Sequence, residues 1–166
     1  MKVYVESVLP CAPQQAWDEV QKSALLKEVA WPLVVIRPVA GETLPERWKL
    51  GPPVRCRSFL FGLIPLGTRT LIFDRIDPSL REIETRESDP LVRVWNHRVR
   101  VQPTSDGQTC YSDEIEIHAG LLTLGVWLFA NAFYRHRQRR WRKVARRLDA
   151  QRLKTQAGGP EGGTAK

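Results

Sequence analysis

Between Gly120 and Leu153 the chain carries no proline, and its apolar residues recur three and four apart. A stretch of that length and period predicts one continuous helix. At about 1.5 Å per residue it would cross a small domain from edge to edge. Everything before it is cut into short pieces. Residues 2–9 alternate as a strand and stop at Pro10. Pro13 suits the first turn of a helix on which Ala16, Trp17 and Val20 share a face. A second short helix is expected over Ser23–Val29, with Ser23 as its N-cap and Pro32 as its stop. Strands are then expected at Leu33–Val39, Val54–Phe61, Thr68–Asp77, Leu80–Glu87, Leu91–Gln102 and Gln108–His118. Gly41–Pro53, rich in Gly and Pro, is expected to be a loop after the first of these, and the later separators are Gly62–Gly67, Asp77-Pro78, Ser88–Pro90 and Pro103–Gly107. Connections this short predict consecutive antiparallel hairpins.

A sheet built this way must cover its apolar face, and only the last helix is long enough to do so. The expected class is therefore α+β: a curved antiparallel sheet of six or seven strands, two short helices after the first strand, and a long C-terminal helix against the sheet. With 166 residues the chain fits one domain and needs no staples to bury a core. That domain is assigned to residues 1–153, and residues 154–166, rich in glycine, to a disordered tail.

The net charge of +8 is local. Residues 135–154 hold ten Lys/Arg against Asp149 alone, which makes that stretch +9 and the remainder −1. A partner recognised by charge must meet the segment Arg135–Lys154, and an anionic membrane surface is one candidate. Nucleic acid is not favoured, for want of a recognisable binding motif. Cys11, Cys56 and Cys110 are odd in number and show no Cys-x-x-Cys pair. His97, His118 and His136 have no metal-ligand spacing with them. No zinc site or disulfide framework is expected, and reduced thiols suit a cytoplasmic setting. Met1–Glu6 lacks the apolar core of a signal peptide. Leu121–Tyr134, the most apolar run, has fourteen residues where a spanning helix needs about 20.

Two alignments nominate a site. Pairing residues of the last hairpin so that Val101 meets Tyr111 also sets Val99 against Asp113, His97 against Ile115 and Trp95 against Ile117. These make a mostly apolar face, whereas Arg100–Ser112, Arg98–Glu114 and Asn96–Glu116 make a solvated one. A slip of one residue would mix the faces. His97 and Asp113 then become diagonal neighbours on the inner side. Along the last helix, Trp127, Ala130, Tyr134, Arg137, Trp141, Val144 and Leu148 form a stripe facing the sheet. Arg137 is its only charge, and Asp113 its expected partner. A second stripe, Leu121, Leu124, Gly125, Leu128 and Ala132, makes the first half of the helix apolar all round. His97 and Asp113 have three readings: a satisfied internal pair that fixes strand register, a ligand anchor, or an acid–base pair.

The order of elements, with Trp95-x-His97 followed by Thr109-x-x-x-Asp113-x-Ile115, resembles the SRPBCC superfamily over residues 2–150. That group includes START-like lipid-transfer domains, the birch-pollen-allergen fold and the polyketide cyclase/dehydrase branch. The resemblance implies a helix-grip fold enclosing a cavity for an apolar small molecule. Trp95, His97, Val99, Tyr111, Asp113, Ile115, Tyr134, Arg137 and Trp141 are then the expected ligand-binding residues.

Three functions follow as expectations. The first is binding of a hydrophobic or aromatic molecule, or a lipid, as carrier, sequestering protein or sensor. The second is a cyclase or dehydratase with His97 as base, oriented by Asp113, and Arg137 on the enolate. The third is docking at an anionic membrane through the basic helix. The chain has no Ser–His–Asp elbow, no Gly-rich phosphate loop and no metal cluster, so binding is preferred to catalysis and neither cofactor nor metal is expected.

Overall fold

The computed structural model describes residues 1–157. Strand β1 (Lys2–Leu9) is followed by helices α1 (Pro13–Val20) and α2 (Ser23–Ala30). Six strands come next: β2 (Val34–Pro38), β3 (Val54–Leu60), β4 (Ile64–Asp77), β5 (Glu82–Ser88), β6 (Val94–Pro103) and β7 (Thr109–His118). A 3-10 turn at Gly120–Leu122 leads into helix α3 (Thr123–Ala157), which has 35 residues.

The seven strands form one antiparallel sheet in the order β1-β7-β6-β5-β4-β3-β2. Hairpin follows hairpin from β3 to β7, as the short turns require, while β2 reaches β3 through a longer loop, residues 39–53. The first strand does not join its neighbour in sequence. It closes the far edge by pairing with β7, Val3 against Ile115 and Val5 against Asp113. The β6–β7 register matches the expected one residue for residue, from Trp95↔Ile117 to Val101↔Tyr111. The sheet curves, and its pairing shifts at Ser58/Phe59 and at Phe73/Arg75. An extra residue in one strand bends it and raises its twist.

Helix α3 packs on β1, β7 and α2 rather than across the full sheet. Helix α1 lies against β6 and β7, and α2 against β2. Two apolar clusters result. One gathers Trp17, Trp48, Phe73 and Trp141. The other gathers Trp95, Ile117, Phe133 and Tyr134. On the outer face Arg98 meets Glu84 at 2.7 Å, and Arg100 meets Glu82 at 2.6 Å. Such part-exposed pairs contribute about 0–1 kcal/mol each and mainly keep that face wet.

Several boundaries differ from expectation, β6 starting at Val94 rather than Leu91 among them, and four have a local reason. Ser23 is the first helical residue of α2, with Lys22 at the cap position and no side-chain cap bond. Strand β4 begins at Ile64, inside the stretch read as a separator. Leu60 pairs with Ile64, and Phe61 and Gly62 turn the chain with φ of 51° and 76°. Pro65 is tolerated because β5 begins to pair with β4 only at Thr70, so that part of β4 is bonded on one side. Arg81 takes φ 48°, which delays β5 to Glu82. Finally, α3 continues past Leu153 to Ala157, so the first residues assigned to the tail are helical. The rest of that expected tail, residues 158–166, lies outside the described residues.

Candidate functional site

The space between the curved sheet and α3 holds a partly open cavity of about 120 Å³. Strand alternation turns Trp95, His97 and Val99 of β6 toward it, with Tyr111 and Asp113 of β7 beside them. The helical period brings Tyr134, Arg137 and Trp141 down from α3. Eight of the nine residues expected at the site therefore line one cavity. Ile115 does not; it is wholly buried in the cluster around Trp95 and Ala130.

Asp113 is the centre of the polar part. It is completely buried. His97 Nε2 lies 2.8 Å from its Oδ1. The Tyr111 hydroxyl donates to the same oxygen at 3.1 Å, and the Gln138 amide donates to Oδ2 at 3.1 Å. Gln138 also donates to the Val5 carbonyl at 2.7 Å, which ties α3 to β1. Burial raises the Asp113 pKa, but the charge of Arg137 and the His97 bond outweigh it and hold the carboxyl below its usual range. Burial and the neighbouring carboxylate push the Tyr111 hydroxyl well above its usual value.

A second set lies along β4 and β5. Arg69 donates to Glu87 at 3.2 Å and to Asp89 at 3.0 Å, and its guanidinium lies 4.4 Å from the Trp95 ring centre. Glu87 is 3.9 Å from His97 Nδ1. The imidazole is thus held between two carboxylates, with its ring centre 5.1 Å from that of Tyr134 in an edge-to-face contact. The Tyr134 hydroxyl accepts a bond from Trp95 Nε1 at 3.1 Å. Arg69, Glu87 and Gln138 were not among the sequence-derived site residues. Parity was the available signal: Ile83, Thr85 and Glu87 alternate onto the inner face of β5, as Arg69, Leu71 and Phe73 do on β4.

Arg137 departs from the expected arrangement. It is buried, as the helical stripe requires. Among the described residues it forms no ion pair with Asp113, whose oxygens are taken by His97, Tyr111 and Gln138. Its guanidinium lies 4.9 Å from the Tyr134 ring and 5.8 Å from that of Phe133, and its Nε has no acceptor. Burial opposes its charge, yet Asp113, Tyr111 and Tyr134 hold its pKa above the usual arginine value. Trp141 Nε1, one helical turn on, also has no acceptor. The apolar wall includes Cys56, whose thiol burial pushes up to about 11. Among the described residues no group of three His, Cys, Asp or Glu side chains is placed to hold a metal ion. No helix among them is long and apolar enough to cross a membrane.

Sheet, grip and cavity together define an SRPBCC-type fold. The chain belongs to the family described as Domain of unknown function (DUF8410), whose model matches residues 7–145. No curated protein matches the sequence. Solved structures share the fold at low identity. A protein of Chromobacterium violaceum aligns with a TM-score of 0.66 at 12% identity, over 87% of this chain and 96% of its own. A START superfamily protein of Mycobacterium smegmatis gives 0.61 at 13%, over 89% and 98%. Ara h 8.0201 gives 0.61 at 14%, over 87% and 97%.

Proposed function

We propose that the chain binds a small apolar or aromatic molecule in this cavity, as a carrier, sequestering protein or sensor. One observation carries the reading: an apolar, aromatic-walled cavity into which a few buried polar groups converge. Ligand sites are built that way. The volume of about 120 Å³ favours a ligand of one ring over a lipid. Kinship of fold with a START superfamily protein supports the same reading.

A cyclase or dehydratase would need a ring nitrogen of His97 open to substrate. Nε2 is bonded to Asp113 and Nδ1 faces Glu87, which favours a structural pair over a base. Loss of turnover of a polyketide substrate in His97→Ala, with the fold retained, would reverse that preference. The test of binding is native mass spectrometry of protein purified from its own cells. A bound small molecule is expected. Repeated absence of one, with no thermal stabilisation across an aromatic ligand panel, would end the reading.

A second role, docking at an anionic membrane, is favoured by a specific feature. Leu121, Leu122, Leu124 and Leu128 are exposed at the start of α3, as are Phe61, Leu63 and Ile64 at the β3–β4 tip. Leu66 and Phe129, just inside these two segments, line the same cavity. Exposed apolar groups of this kind mark interaction surfaces. Further along α3, Arg139, Arg142, Lys143 and Arg146 are exposed cations. Flotation with anionic but not neutral vesicles is expected. Salt-sensitive DNA binding without flotation would point to nucleic acid instead.

A further inference from the structure

Two guanidinium groups face the cavity, and they are treated differently. That of Arg69 is neutralised by Glu87 and Asp89. That of Arg137 has no carboxylate of its own among the described residues, although the residue is only 9% exposed. A guanidinium carries five donors in a planar fork and accepts nothing. The Arg137 Nε is buried without an acceptor, and an unmet buried donor is a cost to the fold. One turn further along the same face, the Trp141 indole N–H is a second buried donor without an acceptor. Both side chains line the same cavity. Flat aromatic walls stand beside them, with Tyr134 and Phe133 under the guanidinium and Tyr111 edge-on to Trp141 at 6.0 Å.

The group that answers a planar fork is a planar pair of oxygens, since a carboxylate accepts two parallel bonds from arginine. The volume limits the remainder of the ligand. An enclosed apolar cavity of about 150 Å³ holds benzene, and this one, about 120 Å³ but partly open, limits a ligand to a single ring with a short substituent. Asp113 and Glu87 oppose an incoming anion, so charge alone does not draw it in. The gain must come from bonds that the fork makes and that a neutral group makes less well.

We propose that the cavity selects a small single-ring carboxylic acid, its carboxylate held by Arg137 and its ring between the aromatic walls, with the Trp141 N–H as a further donor. This rests on the cavity being a ligand site. The experiment is calorimetric titration at neutral pH with three probes of similar shape: phenylacetate, phenylacetamide and ethylbenzene. Wild-type protein should bind phenylacetate about tenfold more tightly than phenylacetamide, the difference between a charged and a neutral hydrogen-bond partner. Arg137→Met should erase that preference and leave ethylbenzene affinity within about threefold, because the body of the cavity is unchanged. Equal wild-type affinity for acid and amide overturns the proposal, as does an acid preference that survives in Arg137→Met. Ethylbenzene binding without an acid preference removes the carboxylate anchor alone. Failure of all three probes to bind overturns the proposal and leaves the ligand-site reading to the mass-spectrometric test. Should Arg137→Met not fold, the wild-type comparison of acid with amide decides.

Discussion

Asp113 stands in the interior as a carboxylate with three hydrogen-bond donors from three different side chains. Its ionised form is favoured in the folded chain, so its pKa is lower there than in the unfolded chain. The unfolded state then binds the extra proton, and stability rises with pH. The contribution is fully present above the ordinary carboxylate pKa and is lost as pH falls through the lower folded value. Urea unfolding between pH 6 and pH 2 should show this loss in the wild type. Asp113→Asn should show a flatter acid limb and a starting stability lower by roughly 3–5 kcal/mol, the usual result of breaking a buried charge set. An unchanged acid limb would mean that another group carries the titration. The His97–Asp113 contact was legible in the sequence because period-two alternation fixes which face a strand residue occupies. The partner of Arg137 was not legible. A helical period gives the face of Arg137 but not its height along the sheet, and a few ångströms of axial docking decide between an ion pair and an unpaired donor. Gln138 was missed for a related reason. It lies beside the expected stripe, and a stripe drawn only through apolar residues passes over an amide that reaches β1.

At the scale of elements, α3 is two helices in function. Ala130, Phe133, Tyr134, Trp141, Val144 and Ala145 are buried, while the leucines of its first turns are not. Two substitutions separate these roles. Leu124→Ser should change the melting free energy by no more than about 0.5 kcal/mol, as exposed sites do. Ala130→Leu should cost about 1–3 kcal/mol, since Ala130 is fully enclosed and has no room for three more carbons. Thermal melts of the two variants check both, and a large loss in Leu124→Ser would mean that the helix start is covered in solution. The strand pattern was readable from turn residues almost throughout. It failed at Ile64–Gly67, where proline and glycine read as a loop. The rule that proline breaks strands concerns a ladder bonded on both sides, and here one side of β4 is empty of a partner.

On the scale of the whole molecule, the two apolar clusters touch through Ile36 and otherwise face each other across the cavity that both line. A molecule seated there would join them. By mass action, a ligand at about 100 times its Kd stabilises the folded state by roughly 2.7 kcal/mol. For a chain of this size that is a rise of roughly 5–10 °C in Tm. Differential scanning fluorimetry with a titrated ligand should follow that curve, and no shift under saturation would mean that the molecule binds the unfolded chain as well. Such cooperation between clusters was beyond sequence reading, which can count apolar residues but cannot see where α3 stops covering the sheet.

The closure of the sheet by β1 against β7 also sets the order in which the chain can become itself. Val3 must find Ile115, and Val5 must find Asp113, across more than a hundred intervening residues. During synthesis β1 emerges before the other strands and has no native edge to join until β7 has left the ribosome. The donor that Gln138 sends to Val5 comes later still. Hairpins β3–β4 to β6–β7 can zip from neighbour to neighbour as they appear, but the seam that completes the sheet is made last, after most of the chain has been released. Long-range pairing of this kind carries a large loop-closure cost before any contact rewards it. Strand β1 is therefore the final piece of the sheet to be fitted.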